Sequence, residues 1–81
     1  MTAFEFTIIA SRLHPEEPGF EDRFYDAGCD DATIAFRNGL IVLDFNREAA
    51  SYAQAVSSAR SDVQRAGAIV ERVEPKQLPE E

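Results

Sequence analysis

The dipeptide Asn38-Gly39 constrains this chain more than any other feature. It sits between two β-rich runs, residues 32–37 and 40–45. Asn-Gly is the preferred pair for a two-residue type I′ hairpin, because both central positions need a positive φ that most side chains resist. Such a turn also fixes register. Arg37 then opposes Leu40, Phe36 opposes Ile41, Ala35 opposes Val42, Ile34 opposes Leu43 and Ala32 opposes Phe45. Opposed residues share a sheet face, so Ile34, Phe36, Ile41, Leu43 and Phe45 make one apolar surface. A slip of one residue would turn that surface to water.

The remaining elements follow from periodicity. Residues 4–11 alternate as a strand does, with Phe4, Phe6, Ile8 and Ala10 to one side and Glu5, Thr7, Ile9 and Ser11 to the other. A loop punctuated by Pro15 and Pro18 follows. Pro18 suits the first turn of a helix, where its missing N–H is not needed. Phe20, Phe24 and Ala27 recur at helical spacing, and Gly28 supplies a left-handed stop. This helix is about two turns long, so packing must hold it. Ser51-x-x-Gln54 reads as a capping box. Tyr52, Ala55, Val56, Ala59, Val63 and Ala66 then form a narrow stripe on a helix of roughly four turns, ended by Gly67. A last strand covers residues 68–73, and its facing is ambiguous. Ile69 and Val73 bracket Glu71 on one side, while Val70 and Arg72 share the other. Pro75 stops it, and residues 76–81 read as a flexible tail.

Strand, helix, strand, strand, helix, strand is the order of two βαβ-like halves. It predicts an α+β, ferredoxin-like sandwich. One domain spans residues 1–75, with a four-stranded antiparallel sheet in the order 4-1-3-2 and both helices on one face.

Charge narrows the function. Fifteen Asp and Glu against eight Lys and Arg give −7 on 81 residues. That balance repels nucleic acid and anionic membranes over about 8 Å at physiological salt, and it favours a basic protein surface as partner. The single Cys29 allows no internal disulfide, which fits a reducing cytoplasm. The first residues lack a signal peptide's basic and apolar regions. No apolar run approaches the roughly 20 residues that cross a bilayer. The expectation is a soluble, cytoplasmic protein.

Two surfaces stand out. Glu17, Glu21, Asp22, Asp26, Asp30 and Asp31 cluster around the first helix and read as an acidic docking patch. The sheet face opposite the helices carries Ile9, Ala35, Arg37, Leu40 and Val42, more apolar than solvent demands. That face reads as a contact surface for a second copy or another protein. Catalysis finds no support: the carboxylates have no placed proton-transfer partner, and no nucleophile elbow or phosphate loop is present. His14 is alone in a loop, and a zinc site needs further ligands. Asp30-Asp31 lacks the spacing of a calcium loop. Cys29 reads as a buried small hydrophobe. No cofactor or metal is expected.

Three segments carry a family resemblance. They are Ala27-Gly28-Cys29-Asp30-Asp31-Ala32, Asp44-Phe45-Asn46-Arg47-Glu48-Ala49 and Arg72-Val73-Glu74-Pro75. In order and spacing the chain resembles the N-terminal domain of small, uncharacterised bacterial helix-turn-helix DNA-binding proteins. In those relatives the chain usually runs on into a helix-turn-helix segment, whereas this sequence stops at Leu78-Pro79-Glu80-Glu81. The resemblance therefore implies a non-enzymatic regulatory or assembly domain, without direct DNA reading. An alternative expectation is a small acidic inhibitor from a mobile element, like anti-CRISPR proteins. It would mimic nucleic acid by presenting carboxylates to a basic nucleic-acid-binding complex.

Overall fold

The computed structural model describes residues 2–12 and 19–75, Phe20 by its backbone only. Six elements follow in order: β1 (Thr2–Ser11), α1 (Phe20–Asp26), β2 (Ala32–Arg37), β3 (Leu40–Ala49), α2 (Tyr52–Arg65) and β4 (Ile69–Pro75). The four strands form one sheet in the order β2-β3-β1-β4, with every neighbouring pair antiparallel. Counted from the β4 edge, the order is 4-1-3-2.

The hairpin turn behaves as its residues demand. Asn38 and Gly39 take φ values of 54° and 79°. The strands pair from Arg37↔Leu40 to Ala32↔Phe45 without a break. β3 runs four residues beyond the apolar stretch that marks it, to Ala49, because the first half of β1 needs a partner. Thr2 pairs with Ala49 and Phe4 with Arg47.

α1 opens at Gly19, which is left-handed with φ 75°. Pro18, expected in the first turn, lies outside the described residues. α2 is capped by Ser51, whose hydroxyl accepts from the Gln54 N–H at 3.1 Å.

One core joins the layers. Phe6, Ile8 and Ala10 of β1 and Ile41, Leu43 and Phe45 of β3 meet Phe24 of α1 and Ala55, Ala59 and Val63 of α2. The alanines of α2 let its backbone come close to the sheet. Phe6 stacks on Phe45 with centroids 5.4 Å apart, and Tyr52 meets Phe4 and Phe6 edge-on at 6.0 and 5.8 Å. Each such pair adds roughly 0.5–1.5 kcal/mol beyond area burial.

β4 resolves its own ambiguity through a bulge. Ile9 opposes Arg72 while Ala10 opposes Val70, so Glu71 is the extra residue. The inserted residue changes the alternation. Val70 and Val73 both pack on the core, and Ile69 is left 46% exposed. The expected grouping of Ile69 with Val73 is thus corrected, as is that of Val70 with Arg72. No helix among the described residues is long and apolar enough to cross a membrane.

Candidate functional site

The sheet's alternation carries one charged side chain inward. Ile41, Leu43 and Phe45 face the core, and two residues on, the same face holds Arg47, which is 8% exposed. A buried guanidinium is tolerable only if every N–H finds an acceptor. Arg47 meets that condition. Its Nε donates to Asp31 Oδ2 at 2.8 Å, and Nη2 donates to Asp31 Oδ1 at 3.0 Å and to the Gly28 carbonyl at 2.7 Å. Its Nη1 donates to Asp62 Oδ2 at 2.9 Å and to the Ser58 hydroxyl at 3.0 Å. The guanidinium carbon lies 5.1 Å from the Phe45 ring centroid, within cation–π range. The hydrogen bonds it donates to Asp31, only partly opposed by burial, hold the guanidinium pKa above its ordinary value.

Three elements meet at this residue: β3 supplies the arginine, the α1–β2 loop supplies Gly28 and Asp31, and α2 supplies Ser58 and Asp62. Arg65 extends the set, donating to the Ala27 carbonyl at 2.9 Å and approaching Asp62 Oδ1 at 3.3 Å. The network therefore seats the loop and α2 on the sheet. Alternation puts position 47 on the core face once β3 is extended past Phe45, but says nothing of its acceptors.

Cys29 lies beside this network, fully buried. Burial first, then the Asp62 carboxylate, pushes its thiol up from 9.0 to about 12. A thiol held protonated at neutral pH is a poor nucleophile. We expect Cys29 to resist a thiol-specific disulfide reagent at pH 8 and to react fully in denaturant, and fast labelling of the native protein would contradict its burial. The stability linkage has a definite sign. A folded pKa raised above the unfolded one stabilises the fold fully below pH 9, and the contribution is lost as pH rises towards 12. Denaturant midpoints measured across that window should fall for the parent and fall less for Cys29→Ala.

The acidic candidates divide by role. Glu21, Asp22 and Asp26 are exposed on α1, and Asp30 is exposed on the loop after it. No ion pair forms at any of these four among the described residues. Asp31 differs, because both its oxygens accept from Arg47 and its side chain is 30% exposed. Glu17 and His14 lie outside the described residues.

The opposite sheet face is more closed than expected. Ile9 and Val42 pair across the two central strands and are only 6% and 9% exposed. Beside them Thr7 donates a hydrogen bond to Asp44. Of the candidates there, Ala35 and Arg37 are exposed and Leu40 is half-buried. No family model matches the chain, and neither a curated protein nor a solved structure does. Among the described residues, no group of three or more His, Cys, Asp or Glu is placed to hold a metal ion.

Proposed function

We propose that this chain is a non-enzymatic regulatory domain of ferredoxin-like fold that acts by protein contact, docking through the acidic side formed by α1 and the α1–β2 loop. One observation carries the reading. Glu21, Asp22, Asp26 and Asp30 are exposed and have no ion-pair partner among the described residues, although Asp31 and Asp62 close by are paired to Arg47. Arg47 is committed to Asp31 and Asp62, and these four carboxylates face solvent. Unmatched charge of one sign on a rigid surface steers a partner of the other sign and speeds its encounter.

The strand order supports the ferredoxin-like description, as does a core drawn from both helices. The resemblance to N-terminal domains of helix-turn-helix regulators supports a regulatory role. A second reading rests on the same carboxylates: an inhibitor of anti-CRISPR type that covers a basic nucleic-acid-binding surface. Dimerisation through the open sheet face has less to offer, since Ile9 and Val42 are covered.

The test is a triple charge reversal, Asp22→Lys with Asp26→Lys and Asp30→Lys. Asp31 is spared because its reversal would break the Arg47 network. The expected result is salt-sensitive capture of a host protein by the parent, lost in the reversed variant at unchanged thermal stability. Capture by both proteins alike would rule out the acidic side. If the captured protein is a nucleic-acid-handling complex that the chain inhibits, the inhibitor reading is the correct one.

A further inference from the structure

A groove of about 760 Å³ runs between α2 and β4. Its helix wall is two parallel rows at four-residue spacing: Tyr52, Val56, Arg60 and Gln64, and beside them Ala53, Ser57 and Ser61. Val73 and Pro75 line the strand side. Polarity changes along its length. The half nearest the start of α2 holds Tyr52, Ala53 and Val56. Phe6 pairs with Pro75 and touches Tyr52, which places the end of β4 in that same half. The other half is hydroxyl, amide and guanidinium.

Charge is as uneven as polarity. In a chain of net charge −7, no acidic side chain among the described residues lines this groove, and Arg60 is the one charged residue among those that do. Arg60 forms no ion pair among the described residues. Arg47, Arg65 and Arg72 are matched to carboxylates; Arg12, Arg23 and Arg37 form no ion pair among the described residues either, but they lie away from this groove. An unmatched guanidinium in the polar half of a groove whose other half is apolar is suited to a carboxylate with an apolar arm. From Arg60 back to Tyr52 is eight residues of helix, about 12 Å.

We propose that the α2–β4 groove is a binding site for an amphipathic monocarboxylate. The acid group pairs with Arg60 between Ser57 and Ser61, and an arm of about 12 Å lies over Val56 and Val73 towards Tyr52. This assignment is independent of the acidic docking side, which lies on α1.

Decanoate is the probe, with decanol as its uncharged counterpart, both titrated into the full chain below micelle formation and followed by amide chemical shifts. Saturable shifts from decanoate are expected at Ala53, Val56, Ser57, Arg60 and Val73, with decanol about tenfold weaker. Arg60→Gln removes the charge, and Ser57→Glu supplies Arg60 with an internal partner one turn away. Each should weaken decanoate by about tenfold and leave decanol unchanged. Both positions are exposed, so the spectrum away from the groove should be preserved. Equal binding of the two probes, shifts scattered over the surface, or full affinity in Arg60→Gln would overturn the proposal. So would a parent that sediments as a dimer and is dissociated by decanoate, which would give the groove to a second copy of the chain.

Discussion

Replacing Arg47 by Ala is expected to cost roughly 3–5 kcal/mol, the usual penalty for removing one partner of a buried ion set. A domain of this length has on the order of 0.05–0.15 kcal/mol of stability per residue, so a quarter of its margin or more would go. The loss has a specific origin. Asp31 and Asp62 would keep their partly buried positions without the cation, and the Gly28 carbonyl and Ser58 hydroxyl would lose a donor. Arg47→Lys should recover only part of the loss, because an ammonium has three donors and no planar fork for Asp31. The measurement is a urea titration followed by far-UV circular dichroism. An Arg47→Ala midpoint within about 1 kcal/mol of the parent, on the scale of exposed pairs, would show that the network contributes no more than a surface salt bridge. A further variant separates charge from packing. Arg47→Met with Asp31→Asn and Asp62→Asn carries no buried charge, so it should be more stable than Arg47→Met alone.

The same residue shows how far the sequence can be read. The hairpin is legible because two local signals agree: the positive φ demanded by Asn38-Gly39 and the alternation of the flanking runs. The cap at Ser51 and the stripe on α2 are local in the same way. β3 carries less signal beyond Phe45, since Asn46, Arg47 and Glu48 look like loop residues. Their strand conformation depends on β1, whose first residues pair with them. Arg47 is inward by alternation, yet its acceptors lie 16 residues before it and 15 after. Only the folded chain brings them together.

β4 fails to be legible for a related reason. Ile69, Val70 and Val73 fit no single face, and the choice is made by a bulge opposite Ile9 and Ala10. Alternation within one strand cannot report an insertion relative to its neighbour. The acidic patch was half legible. Composition marks every carboxylate between residues 21 and 31 equally, and pairing with a buried arginine separates Asp31 from the rest. Ile9 and Val42 follow the same logic. Their face is set by period two, whereas their coverage depends on lying side by side on the two central strands.

Gly28→Ala should be a strongly damaging change for a single added methyl. Gly28 has φ 112°, where an L side chain is strained. An added Cβ would also sit 2.7 Å from Asp62 Oδ2 and 2.9 Å from its Cγ. Ordinarily a flexible carboxylate would swing aside. Asp62 is held by Arg47 and Arg65, so moving it breaks the contacts that seat α2. Backbone strain alone is worth about 1–3 kcal/mol, and displacing Asp62 adds part of the penalty argued for Arg47. The expected total is roughly 2–4 kcal/mol. Gly28→Ala in an Asp62→Ala background divides it. The steric part disappears with the carboxylate while the φ strain remains, so the glycine substitution should cost about 1–2 kcal/mol less there than in the parent. An equal cost in both backgrounds would mean that the backbone, and not the packing of Asp62 against it, is what requires glycine at position 28.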